Sequence, residues 1–390
     1  MSTCKDLDRL LEYFVETGLP GCSLMICRQG EVIYEGFAGY ANVETKEKIR
    51  RDSIYRLASM SKLPLYTTMM MLYERGMYNM NDPIGDYLPE WKESRRVQTA
   101  TDGSVSFVPT RRPLTIRDAL TMGCAMPYCN SPAPTRNVTM ATMQDCMKPL
   151  WEKGYYTNRE HVAAMAGAVL AGEPGERFTY GFSSELTAAL VEKICGRGID
   201  EVFQELLFDP LEMKDTASRF FGDTKERMVA CHAFDENHRS RVIDMPLDDK
   251  HLPGPEHEQG WARLFSTAED FSHLMSMLAC GGQWHGKQLM GRETIDLMRT
   301  NVLSTEALED LRDGYNDGYG YGYGVRTLVD KAAGNHNGPL GSFGWTGGFG
   351  TWCEADPEDG VSIVYMHNSV PNDEKFYHLK VRAAAYGFIR

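Results

Sequence analysis

The chain has 390 residues, 42% of them hydrophobic and 24% charged, which suits a globular protein of two domains, or of one large domain with an insertion. Its formal net charge of −13, without any cluster of Lys and Arg, argues against nucleic acid or an anionic membrane as the main partner. No stretch approaches the roughly 18 apolar residues of a membrane span, and the ten cysteines are scattered without a Cys-x-x-Cys pair, so neither a zinc site nor a redox motif is indicated.

Leu7, Leu10, Leu11, Phe14 and Val15 fall at helical spacing among Asp6, Asp8, Arg9 and Glu12, which predicts an amphipathic helix and not a signal peptide. Without an export signal the cysteines are expected as reduced thiols of a cytosolic protein. Gly18 and Pro20 stop the helix, and two strands are predicted over 22–27 and 32–37 with a turn at Gln29-Gly30. After a polar connection, 54–57 leads into a helix that opens near Ser59 and ends near Gly76.

From 78 to 108 the pattern is irregular, and 93–106 reads as a surface loop. A short helix over 113–122 has Thr115 as a candidate N-cap, while Pro127, Pro132 and Pro134 predict that 123–140 cannot hold regular structure for long. Helices are predicted over 158–171, over 186–194 with Ser183 or Ser184 as cap and Gly196 as stop, over 201–207, over 268–278 with Thr267 as cap, and over 292–299. The segment 223–258 is loop-rich. Beyond Gly314 strands are predicted over 319–328, 343–354 and 361–366, with a turn over 356–360, and a final helix from about 373 to 388. With strands at both ends and helices between, the fold class expected is α/β (α+β). One sheet would be built from 1–75 and 310–390 and flanked by the terminal helices, with a mainly helical domain, 76–309, inserted.

Chemistry enters at Ser59-Met60-Ser61-Lys62. Residues three apart share one helix face, so a helix starting near Ser59 sets the Lys62 amine beside the Ser59 hydroxyl, a placement Ser61 cannot share. A serine hydroxyl is a poor nucleophile until a base takes its proton, which a partly buried amine can do. The helix mouth also favours developing negative charge. Ser2 and Lys5 repeat the spacing in an unremarkable segment, and a plain helix cap would explain Ser59 equally well. A second candidate is Tyr180, a loop phenol that could serve as a general base near an amine, or could simply pack against Phe178 or Phe182. The third is Gly344-Trp345-Thr346-Gly347-Gly348. Glycines within a strand mark a bulge or a close approach of ligand to backbone, and an edge strand here could offer an N–H beside that of Ser59 as a two-donor oxyanion hole.

Taken in order, Ser-x-x-Lys, a loop Tyr and a Trp-Thr-Gly strand resemble the serine β-lactamase superfamily, specifically the class C β-lactamase-related branch that includes family VIII esterases. Leu19-Pro20-Gly21, Tyr55 to Lys62, Pro210 to Thr216, Ser266 to Asp270 and Asp356-Pro357 are similar to that family too, and together they span most of the chain. The resemblance implies a β-lactamase/transpeptidase-like antiparallel sheet. It implies Ser59 as nucleophile, Lys62 as the amine that helps remove its proton, Tyr180 as partner base and proton shuttle, and the N–H groups of Ser59 and Gly348 as the oxyanion hole. Trp345, Thr346, Gly347 and Phe182 would contact substrate.

Two departures bear on substrate. Phe182 replaces the usual Asn of Tyr-x-Asn, and Trp345 replaces the cation that usually opens the strand motif, which removes an anchor for a substrate carboxylate and adds apolar surface. The expectation is a serine hydrolase of carboxylic esters that needs no cofactor or metal and has a small acyl ester or amide as its partner. β-Lactam hydrolysis, D-amino-acid amide or peptide hydrolysis and acyl transfer are the alternatives, and a catalytically silent binding relative is the alternative from another class. Thr121 to Cys124 stands where the family usually has His-Thr-Ser-Gly. The loop residues His232, His238, His251, Glu256 and His257 lack a metal-binding helical frame, Asp313 to Gly318 lacks the final glutamate of a calcium loop, and no Gly-x-Ser-x-Gly elbow is present.

Overall fold

The computed structural model describes residues 3–128, 134–236, 240–252 and 263–389. Thr3 and Asp6 cap one another at the start of α1 (Cys4–Glu16), which buries Leu7, Leu11 and Phe14. The strands β1 (Gly21–Arg28), β2 (Glu31–Asn42) and β3 (Glu47–Lys48) come next, and the rest of the main sheet comes from the far end of the chain: β4 (Tyr319–Tyr321), β5 (Arg326–Leu328), β6 (Phe343–Thr346), β7 (Trp352–Asp356) and β8 (Val361–Met366). The eight strands lie in the order β4-β5-β6-β7-β8-β1-β2-β3, and every neighbouring pair is antiparallel.

Side-chain alternation explains why both faces of this sheet are covered. In β1, Cys22, Leu24 and Ile26 join one apolar cluster while Met25 and Cys27 join the other, and β8 divides Ile363 and Tyr365 from Val364 and Met366 in the same way. α1 and the last helix, named here α6 (Glu374–Ile389), cover the first face, where the rings of Phe14 and Tyr377 meet edge to face at 5.0 Å. On the second face lies a helix capped by Thr267, α5 (Ala268–Ala279), with α2 (Lys62–Glu74) in the same cluster. Every residue of α2 from Lys62 to Leu72 is buried, as a helix apolar on all sides must be.

Between the two sheet-forming ends most of the regular structure is helical, including α3 (Pro134–Lys153) and α4 (Ser183–Cys195). Several expectations are corrected here. The segment 93–106 contributes to a hairpin, Arg95–Thr99 with Val105–Pro109, turned at Asp102-Gly103, a strong hairpin dipeptide. α3 starts within the segment expected to be irregular, because Pro134 takes the first helical position, where a missing N–H costs nothing, and the helix also carries Pro149 in its interior. The 158–171 helix stops at Met165, the α4 helix starts on Ser183 with Phe182 at the cap position, and Thr305–Leu311 is a further short helix. In the loop-rich 223–258 segment, His232–Phe234 pairs with Ser369–Val370 on one side and with Ser240–Val242 on the other. The predicted strand 319–328 is two strands, folded through Gly322 to Gly324. The predicted strand 343–354 is also two, so Gly347 and Gly348 stand in the turn between β6 and β7 and not within a strand.

Pro132, His238, Glu256 and His257 lie outside the described residues. His232 and His251 are buried, and each ring bonds to backbone: Nε2 of His232 accepts from Val43 N at 3.4 Å, and Nδ1 of His251 lies 2.7 Å from Ser218 O. Asp313 Oδ1 accepts from the N–H groups of Tyr315 and Asn316, forming a turn of the loop. The nine described cysteines are unpaired, and no described helix is long and apolar enough to cross a membrane.

Candidate active site

Two backbone devices bring Ser59 into place. Asn368 clasps Arg56, accepting from its N–H at 3.0 Å and donating to its carbonyl at 3.2 Å. Then Ala58 takes a left-handed φ of +47° and opens a 3-10 turn, Ala58–Ser61, that runs directly into α2. Ser59 therefore lies one turn ahead of the α-helix. Side chains three apart eclipse in a 3-10 turn, and Lys62 Nζ donates to Ser59 Oγ at 3.3 Å. Ser59 is half-buried and Lys62 is 1% exposed. Ser61 points away into the core, where its Oγ accepts from Leu264 N at 3.1 Å.

Tyr180 reaches the same place from a loop held close to residues 126–128. Phe182 N donates to Met126 O at 2.9 Å, and a Cβ at Gly181 would stand 1.8 Å from Met126 O, so only glycine permits that approach. Thr121 to Cys124 supports the same loop, with Thr179 N donating to Met122 O and Gly175 N to Gly123 O, both at 2.8 Å. Lys62 Nζ lies 5.1 Å from the centre of the Tyr180 ring and 5.3 Å from that of Tyr128. Tyr180 Oη accepts from Trp345 Nε1 at 3.3 Å, and the two rings lie 5.4 Å apart.

Tyr128 and Glu185 are the residues that sequence reasoning missed. The Tyr128 hydroxyl lies 2.9 Å from Ser184 Oγ and 3.1 Å from Glu185 Oε2, while Ser184 Oγ donates to the same carboxylate oxygen at 3.0 Å. Glu185 is buried in the first turn of α4; burial raises its carboxyl above the usual range, and the Lys62 charge opposes that rise. Burial and the Glu185 charge likewise push the Tyr128 phenol well up. An acidic residue just ahead of the apolar run Leu186 to Val191 was the available signal for Glu185. None marked Tyr128.

The third motif closes the site from the sheet. β5 pairs with β6 only at Phe343 and Gly344, so Trp345 and Thr346 run on past their neighbour. β6 is thus an interior strand of the sheet whose last two residues behave as an edge. Gly347 N donates to Thr351 O at 2.8 Å, and Thr351 Oγ1 donates to Leu57 O at 3.0 Å, which ties this turn to the residues just before Ser59. A Cβ at Gly347 would fall 2.1 Å from Leu57 O, whereas one at Gly348 would meet nothing within 4 Å. Thr346 Oγ1 lies 3.1 Å from Thr351 O and 3.2 Å from Glu374 Oε2.

Two cavities meet at Ser59. One, of about 560 Å³, is lined by Lys62, Tyr128, Phe182 and Glu185 and by Met140, Met143, Met147 and Trp151 of α3. The other, of about 350 Å³, is lined by Tyr180, Trp345, Thr346, Gly348 and Glu374 among others. The structure thus brings Ser59, Lys62, Tyr180, Trp345, Thr346, Gly348 and Phe182 around one cleft, with Gly347 packed beneath the turn. Chemically the cleft offers a hydroxyl beside an amine, a phenol and an open backbone turn.

The chain is similar to several known proteins. The chain is 23% identical over 369 residues to Esterase EstB of Burkholderia gladioli, covering 91% of this chain and 87% of that protein. Among solved structures it is similar to EstCE1, described as a hydrolase with promiscuous acyltransferase activity, with a TM-score of 0.78, 23% identity and 98% of each chain covered. It is also similar to unliganded simvastatin synthase (LovD) from Aspergillus terreus, with a TM-score of 0.83, 19% identity and 99% of each chain covered. The model of the family described as Beta-lactamase matches residues 7–387, and the chain belongs to that family.

Proposed function

We propose that this serine hydrolase cleaves carboxylic esters through an acyl-enzyme on Ser59. The observation that carries the reading is the 3.3 Å contact of a buried Lys62 amine with a half-buried Ser59 hydroxyl where two cavities meet. The neutral Lys62 amine takes the Ser59 proton as Oγ attacks the acyl carbon. The N–H groups of Ser59 and Gly348 receive the charge on the carbonyl oxygen. The Trp345 indole N–H occupies one lone pair of the Tyr180 oxygen, which leaves the phenolic proton for the departing alcohol. Water then releases the acid by the reverse proton path.

Ester is favoured over β-lactam or peptide by what surrounds the site. Trp345 stands where a cation would hold a substrate carboxylate, and a carboxylate of the protein's own, Glu374, sits at Thr346. The methionines of α3 give the acyl group a deformable apolar wall. Names of similar proteins point the same way, one an esterase and one a hydrolase with acyltransferase activity. The cavity beside Tyr180 also supports a second reading, acyl transfer to an alcohol bound there, which product analysis with added alcohol would detect.

The test assays p-nitrophenyl butyrate, nitrocefin and a D-alanyl amide side by side. Ester cleavage is expected to dominate, and rapid nitrocefin turnover without ester cleavage would overturn the reading. A fluorophosphonate probe should label the native protein and not Ser59→Ala. Tyr180→Phe should keep labelling while losing about 100-fold or more in ester turnover.

A further inference from the structure

The smaller cavity combines aromatic faces with carboxylates beside the nucleophile. Phe178, Tyr180 and Trp345 supply the rings, and Asp310, Asp313 and Glu374 the charge. Two of these acids are committed elsewhere: Arg177 forks onto Asp310 at 2.7 and 2.8 Å, and Asp313 holds the N–H groups of its own turn. Among the described residues, the side chain of Glu374 accepts from the Thr346 hydroxyl alone, on Oε2 at 3.2 Å. The cations that act on it are engaged with other groups. Arg326 donates to Asn316 Oδ1 and Tyr315 Oη, and Lys375 to the carbonyl of Asp313. No Lys or Arg lines the cavity among the described residues, and Lys62 faces the other one.

Rings and an uncommitted carboxylate together recognise a desolvated cation. Position assigns the half of the substrate concerned. Tyr180 lines this cavity and not the methionine-lined one, so the oxygen it protonates, that of the departing alcohol, lies on this side. We infer that the alcohol half of the ester carries an ammonium group, seated between the aromatic wall and Glu374. This rests on the ester-hydrolase reading. In the reaction the Ser59 Oγ–acyl bond forms, the ester C–O bond breaks, and the amino alcohol leaves with the proton. The same carboxylate repels substrates that present an anion at Thr346, so Glu374 sets specificity in both directions.

The test compares two isosteric esters, 2-(trimethylammonio)ethyl butyrate and 3,3-dimethylbutyl butyrate, which differ by a positive nitrogen in place of a carbon. The ammonium ester is expected to show a kcat/KM at least about tenfold higher, the excess residing in KM. In Glu374→Gln, whose amide oxygen still accepts from Thr346, the ratio should fall below about threefold. Turnover of the neutral ester at a rate equal to or above that of the ammonium ester overturns the inference alone. A ratio unchanged in Glu374→Gln overturns the role of Glu374. Cleavage of neither ester overturns the ester-hydrolase reading and the inference with it.

Discussion

Ala58 carries a left-handed backbone, φ +47°, one residue before the nucleophile. For a non-glycine residue that conformation costs on the order of 1 kcal/mol, and such strain persists only where its surroundings impose it. Here Leu57 is held by Leu264 O through its N–H and by Thr351 Oγ1 through its carbonyl. Ala58→Gly should therefore leave stability unchanged or raise it by up to about 1 kcal/mol in denaturant unfolding, while lowering kcat through a looser Ser59. Gly347 and Gly348 give a paired prediction. Gly347→Ala collides with Leu57 O, so it should displace the turn and lower both Tm and activity. Gly348→Ala meets no atom of the protein and should fold normally, so any loss it causes reports on what occupies the space before the turn. Ser59 and Lys62 were legible in the sequence because their relation is local, three residues along one turn. Tyr128 and Glu185 were not, because 57 residues separate them and only the packing of the Tyr180 loop and α4 brings them together.

Among the elements, α3 was the least legible and bears most on substrate. Pro127, Pro132 and Pro134 argue against regular structure where it begins, yet Met140, Met143, Met147 and Trp151 recur at intervals of three and four, one helical face, and that face lines the cavity. Met147→Trp should shrink this wall and shift the octanoate-to-acetate ratio of kcat/KM by about tenfold or more towards acetate. The strands were misread where glycine turns interrupt them, at 322–324 and 347–351, since alternation alone does not reveal a reversal of direction. Helices with a cap and a clear stop, such as α5, emerged as expected. In its first turn burial raises the Asp270 carboxyl to about 7, while it accepts from Asp215 N at 2.6 Å and Thr216 Oγ1 at 2.9 Å. The folded protein holds this proton between pH 4 and 7 where the unfolded chain has released it, so the contribution falls as pH rises through that window and is flat below it. Asp270→Asn should flatten the decline of Tm between pH 4 and 7.

For the whole molecule, the sheet with α1 and α6 on one face and α5 on the other is what the composition of its strands demands. The central strands are apolar on both sides, and two layers must cover them. Phe14 shows how much rests on the outer layer: it is fully buried from α1 and meets Tyr377 of α6 and Tyr365 of β8. Phe14→Ala should cost about 3 to 5 kcal/mol and lower Tm by several degrees in calorimetry. That both ends of the chain supply one sheet was legible because strand patterns cluster there. The register that joins them was not.

That register pairs Ser23 with Met366 and Arg28 with Val361, the first strand with the last of the main sheet. On the ribosome, β1 therefore waits with an unmatched edge until β8 has been made. Trp345 and Glu374 are absent from the Ser59 turn for the same interval. The Ser59 cleft is therefore completed only after the segment that carries β6, β7, β8 and the start of α6 has joined the sheet.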